Sequence, residues 1–211
     1  MSTWEKYAPD AERWSETSYA DARAYLARRA ELVRTLGVAL APGDTVLDLA
    51  CGDGGLGDFL PEQRYLGVDA SPEMAGAARR RGREVTCADL NEYEPPRPVQ
   101  ATLIFRAIYY ARDRRALFER ISGYTEKKLV FDLNPRQYRL RDVRDDLFAA
   151  GFDSLVARPF FVPQTRALPA PFLAMLRGLE RCGPLARLAL RFRFTVLCAA
   201  TRSGASGRSG S

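Results

Sequence analysis

Val46-Leu47-Asp48-Leu49-Ala50-Cys51-Gly52-Asp53-Gly54-Gly55 is the stretch that decides the fold of this 211-residue chain. Positions 46–49 read as a buried strand interrupted by one acid, and a run of small residues follows at once. Glycine at 52, 54, 55 and 57 lets the backbone adopt angles closed to other residues and approach a ligand closely. In an open α/β sheet, ligands bind beyond the carboxyl ends of the strands, where neighbouring connections diverge. A tight strand-to-helix turn without a ligand is the plainer alternative, and glycines at this density argue against it.

Outward from this loop, short apolar strands alternate with helices. Strands are expected at Thr45–Leu49, 65–68, Glu84–Cys87, 102–105 and 128–133. Between them, a short helix runs through Leu60, and another starts with Ser71 as cap and Pro72 at its first position. Two more are expected over 113–122, stopped by Gly123, and over 138–150, stopped by Gly151. Helical spacing of Tyr19, Arg23, Leu26, Ala30, Val33 and Leu36 predicts a helical segment over 4–40. The rhythm then changes: a strand over 154–162, one or two helices over 170–191 and a final strand over 192–200. Strand–helix alternation implies a doubly wound α/β fold with a mostly parallel sheet. The two late strands suit an antiparallel edge. No domain boundary or internal repeat is visible. The expectation is one domain over 1–202: a helical cap at 1–40, a cofactor-binding core at 44–151 and a helical insertion at 163–192. The Gly/Ser-rich stretch 203–211 reads as a flexible tail.

Composition excludes several chemistries. The chain has no histidine, which removes histidine triads, histidine general bases and most zinc sites. Its cysteines, Cys51, Cys87, Cys182 and Cys198, are scattered, so neither a metal cluster nor a disulfide framework is expected. Net charge is +6, almost all of the positive charge arginine, since the lysines are Lys6, Lys127 and Lys128 alone. The first ten residues are unlike a secretion signal, and no apolar run is long enough to span a bilayer. A cytoplasmic location is expected.

Gly52-x-Gly54-x-x-Gly57 also fits the dinucleotide fingerprint, which alone is a weak signal. A diphosphate favours the positive end of a helix dipole. Asp48 and Asp53 instead put negative charge at this loop, which suits a cationic ligand.

Val46–Gly55 resembles motif I of class I S-adenosylmethionine (SAM)-dependent methyltransferases, with Ala50 where that family usually has glycine. Tyr65-Leu66-Gly67-Val68-Asp69-Ala70-Ser71 resembles the second motif, with Asp69 standing 69 − 52 = 17 positions after Gly52. Cys87-Ala88-Asp89-Leu90 resembles the third. The resemblance covers about 14–151. It implies a seven-stranded, Rossmann-like sheet with an antiparallel last strand, an N-terminal helical cap and a helical insertion before that strand. It implies SAM as cofactor and methyl transfer as the activity. Asp48 and the loop through Ala50, Cys51, Gly52 and Gly54 would hold the methionyl part. Asp69 and Ala70 would hold the ribose, and Asp89 and Leu90 the adenine, with Met74 packed on it. Carboxylates suit these tasks because they accept hydrogen bonds strongly.

After the fourth strand, Arg106-Ala107-Ile108-Tyr109-Tyr110 occupies the position that joins cofactor and acceptor in this family. Many members carry histidine there, so no inherited general base is available. Arg106 is a candidate for cofactor binding, and Tyr109, Tyr110 and Asn134 are candidates for catalysis. One tyrosine in the core and the other on the surface is an equally good reading. Asp132-Leu133-Asn134-Pro135 reads as a turn. Tyr7, Trp14 and Tyr19 resemble the aromatic lid that family members fold over the cofactor, or are ordinary helix packing. Over 168–194, leucines and arginines alternate as in a basic amphipathic helix. Such a helix covers a sheet edge or touches an anionic membrane. The expected acceptor is therefore a small or lipid-like molecule rather than nucleic acid, for which no recognition module is visible. The alternatives are an NAD(P)-dependent oxidoreductase and a non-catalytic module that keeps the fold for binding or membrane docking.

Overall fold

The computed structural model describes residues 11–181 and 195–202. Seven strands form one sheet in the order β3-β2-β1-β4-β5-β7-β6: β1 Thr45–Leu49, β2 Arg64–Asp69, β3 Glu84–Cys87, β4 Val99–Ile104, β5 Thr125–Leu133, β6 Ser154–Pro159 and β7 Val196–Thr201. β1 to β5 pair in parallel. β7 inserts between β5 and β6 and runs antiparallel to both. The reversed strand is thus the last one alone, because β6 points the same way as β1 to β5.

The central strands β1, β4 and β7 are buried along nearly their whole length because both faces are covered. Alternate residues point to opposite faces. Leu47, Leu49, Ile104, Leu129, Phe131 and Leu133 pack against helices α4 (Arg114–Tyr124) and α5 (Leu140–Ala149). Val46, Ala101, Leu103, Val130, Leu197 and Ala199 pack against helix α2 (Ala22–Thr35). Helix α3 (Pro72–Arg80) connects β2 to β3, and its cap is the expected one: Ser71 Oγ accepts from the Met74 amide at 3.2 Å.

Several elements differ from expectation. The N-terminal helix is two helices, α1 (Trp14–Thr17) and α2, because Asp21 caps a fresh start by accepting from the Ala24 amide at 2.9 Å. Tyr19 lies in the break. Gly123 does not stop α4, which runs to Tyr124 and passes directly into β5. The short helix after the glycine loop is a 3₁₀ turn, Gly55–Phe59. Helix α6 is described over Ala170–Arg181. Residues 182–194, which hold the rest of the expected helical insertion and the start of the expected final strand, and the tail 203–211 lie outside the described residues.

Two buried polar groups tie α2 to the sheet. Lys128 on β5 is fully buried, and its Nζ donates to the Leu36 carbonyl at 2.9 Å, just past the C-terminus of α2. Burial moves its pKa down to about 8. Asp132, also on β5, accepts from Arg29 of α2 at 3.1 Å.

Candidate functional site

A cavity of about 420 Å³ opens at the carboxyl ends of β1, β2, β3 and β4. The strand order reverses between β1 and β4, which is where a doubly wound sheet leaves a crevice. That volume is ample for a small ligand.

The backbone after β1 turns sharply. Ala50 has φ +62° and Gly52 φ +59°, both left-handed. An alanine there bears a strain of about 1 kcal/mol that glycine would not, a physical reason for glycine being usual at position 50. A Cβ at Gly52 would meet Trp14 Cδ1 at 3.1 Å, so only a bare backbone fits between the lid and the pocket floor.

Three acids reach the cavity from three neighbouring strands. Asp48 on β1 is buried and accepts from the Tyr65 hydroxyl at 2.7 Å. Burial raises its pKa to about 7, against the pull of that hydrogen bond and of Arg29. Asp69 ends β2, and its two oxygens accept from the amides of Gly52 at 2.8 Å and Ser71 at 2.9 Å. Burial raises its pKa as well, opposed by these amides. Asp89, just beyond β3, accepts from the Asn91 side chain at 2.7 Å and pairs with Arg112 at 2.7 Å.

Of the residues expected from sequence, Asp48, Ala50, Cys51, Gly52, Asp69, Ala70, Met74, Asp89, Leu90, Arg106, Tyr109 and Tyr110 line this one cavity. Two do not. Gly54 faces α3: a Cβ there would lie 3.0 Å from Arg83 and 3.2 Å from Ala78, so this glycine serves helix packing. Asn134 is exposed and outside the cavity, its Oδ1 accepting from the Arg136 amide at 3.0 Å in a local turn. Asp53, expected to add charge at the mouth, is turned away. Its carboxylate takes the amide and hydroxyl of Ser15 and pairs with Arg81, anchoring α1 to the loop. No described residue of α6 lines the cavity.

Trp14 and Tyr19 do line it, as the lid reading expects; Tyr7 lies outside the described residues. Tyr19 stacks on Tyr25 with centroids 4.1 Å apart. Tyr109 is half exposed, at 49%, and Tyr110 is half-buried, their rings 4.3 Å apart at the rim.

Sequence reasoning missed Arg29 and its partner. Arg29, 3% exposed, lies over Phe105 at 4.3 Å and lines the cavity. Asp132 Oδ2 accepts from it, and Oδ1 accepts from the Arg106 amide at 2.7 Å. That bond holds Arg106 in a left-handed turn, φ +53°. The available signal was an acid in an otherwise apolar strand, Leu129-Val130-Phe131-Asp132-Leu133, a pattern that repeats Val46-Leu47-Asp48-Leu49.

Residues 46–128 match the model of a methyltransferase domain family. A trans-aconitate 2-methyltransferase of Mycobacterium ulcerans is 33% identical over 76 residues, 34% of this chain and 29% of that protein. The match therefore spans less than a third of that relative's length. A putative methyltransferase of Haloferax volcanii, solved with the Trm112 methyltransferase activator, superposes with a TM-score of 0.65 at 19% identity, over 95% of this chain and 98% of the other. The magnesium protoporphyrin IX methyltransferase of Synechocystis, solved with bound SAM, gives 0.58 at 15% identity, over 91% and 79%. These two show a shared fold.

Proposed function

We propose that this chain, which carries a class I SAM-dependent methyltransferase domain, transfers a methyl group from SAM to a small-molecule acceptor. The observation that carries this reading is the convergence of Asp48, Asp69 and Asp89, from three adjacent strands, on one cavity floored by the Gly52 loop. These residues fit the cofactor's chemistry. Asp48 lies where an ammonium would be favoured, and the bare backbone at Gly52 leaves room for the methionyl chain. Asp69 is held by two amides, with spare lone pairs toward the cavity for the ribose hydroxyls. Asp89, with Leu90 and Met74, bounds the far end as an adenine pocket.

When bound, SAM supplies an electrophilic methyl on a sulfonium, so the protein's task is chiefly to position the reactants and exclude water. Trp14 and Tyr19 roof the cavity and limit solvent. Tyr109 and Tyr110 stand at the rim, where an acceptor enters. The dinucleotide alternative is disfavoured by the acids and by Gly54, whose place in the glycine fingerprint is taken up by packing on α3.

A lipid-like acceptor is a second reading, favoured by Phe172 and Met175 of α6, which are 54% and 55% exposed. No helix among the described residues is long and apolar enough to cross a membrane. Incubation with methyl-tritiated SAM and an extract of low-mass metabolites, beside anionic liposomes, separates the readings. Label is expected in a water-soluble product with wild type and reduced at least about 30-fold by Asp69→Ala, the loss of charge-assisted hydrogen bonds. Label only in the lipid phase would favour the second reading, and no transfer to either would contradict both.

A further inference from the structure

Cations are unevenly compensated around the cavity. Arg112 is answered by Asp89 and by Glu92 at 2.9 Å, and Arg29 by Asp132. Arg106 differs. Among the described residues no carboxylate forms an ion pair with its side chain, and its Nη1 is buried without a hydrogen-bond partner. Its guanidinium lies 5.8 Å from the Trp14 ring centroid and 5.8 Å from that of Tyr19, whose side chain also hydrogen-bonds it. Its backbone is in a left-handed conformation that arginine adopts at a cost, maintained by the Asp132 bond to its amide. A strained, incompletely hydrogen-bonded arginine is poorly explained by folding alone. Removing a cationic N–H from water without a partner is unfavourable, and a bound anion would restore the missing bond.

Arg29 is a second cavity cation with an unfilled donor. Its Nε is likewise buried without a partner, and it lies close enough to Asp48 to lower that carboxyl's pKa. It therefore belongs to the end of the cavity assigned above to the methionyl group, which carries a single carboxylate. Two cavity arginines with unfilled donors are one more than the cofactor uses. The second stands on the turn after β4 that leads to Tyr109 and Tyr110, the rim by which an acceptor enters.

We propose that the acceptor bears a carboxylate, and that Arg106, beside the Trp14 and Tyr19 rings, is the residue that holds it. This rests on the methyltransferase reading and deepens it. The planar guanidinium fork matches a carboxylate in two-point contact, and the two neighbouring ring faces favour a cation. The relatives' named acceptor, trans-aconitate, is a tricarboxylate.

The test is calorimetry on the full chain saturated with S-adenosylhomocysteine (SAH). The titrants are trans-aconitate, citrate and the uncharged triethyl ester of citrate. At least one free acid is expected to bind, the ester not. Arg106→Gln should weaken that binding about tenfold or more, the loss of a bidentate ionic contact. Its affinity for SAH itself should stay within about threefold of wild type, which also reports that the variant is folded. Arg106→Lys, keeping charge but not the fork, should fall between the two. If Arg106→Gln loses SAH affinity as steeply as acid affinity, Arg106 serves the cofactor's own carboxylate and the proposal is overturned. Ester binding equal to acid binding, or no acid bound by a wild-type protein that does bind SAH, also overturns it. A wild type that binds no SAH contradicts the methyltransferase reading beneath it.

Discussion

Asp48 concentrates the tension between stability and binding at the scale of one residue. It sits inside a buried strand, and burial lifts its pKa from an ordinary 3.8 to about 7. Tyr65 and Arg29 pull that value down, while Asp69 and Asp132 push it up. A folded-state pKa above the unfolded one means the folded chain holds the extra proton. The associated stability is full below about pH 4 and is lost as pH rises through about 7. Asp48→Asn cannot ionise and escapes that loss. Its melting temperature should exceed that of wild type by roughly 3–8 °C at pH 8 and differ little at pH 4.5. A variant less stable at pH 8 than wild type would show that Arg29 and Tyr65 more than compensate the buried charge. The acids at 48, 69 and 89 were legible in the sequence because each follows or ends an apolar run. Asp132 carried the same signal, but its pairing with Arg29 was not legible, because the two meet across 103 positions and their neighbourhood exists only once α2 lies on β5.

Helix α6 is fastened to α2 by a buried ion pair. The guanidinium of Arg28 bonds the Glu180 carboxylate, both side chains at most 1% exposed, and Glu180 also accepts from the Phe161 amide at 2.9 Å. Leu173 packs into the same core as α2. Breaking one half of such a pair costs more than replacing both halves, because a lone buried charge remains. Glu180→Ala should therefore destabilise by about 3 kcal/mol, partly relieved by the remaining Arg28–Glu31 contact at 2.7 Å. The double variant Arg28→Met, Glu180→Leu should recover most of that loss in urea denaturation. If the double variant is as unstable as the single one, the pair itself stabilises the join. Elements with their own signals were readable: Ser71-Pro72 opening α3, and Gly151, φ +91°, closing α5. The ends set by tertiary context were not. Gly123 continues α4 because helix and strand abut there, and the first helix breaks where Asp21 offers a cap.

The whole molecule places its site where the chain's topology leaves a gap. Two apolar cores lie on opposite faces of the sheet, and the cavity opens at the strand ends, where the connections from β1 and β4 diverge. The parallel sheet was legible from strand–helix alternation, whereas the late interruption suited two reversed strands and the single antiparallel last strand was implied by the family resemblance alone. The placement of α1 over the glycine loop was not, since it rests on the Asp53–Ser15 bonds rather than on periodicity. Whether this cavity takes SAM is tested by calorimetric titration of the whole chain with SAH, run beside NAD(H) and NADP(H). The predicted result is one-to-one, saturable binding of SAH that Asp69→Ala weakens at least about 30-fold, with no heat from the nicotinamide nucleotides. Saturable binding of a nicotinamide nucleotide without SAH binding would make the Gly52 loop a dinucleotide site and exclude SAM as its ligand.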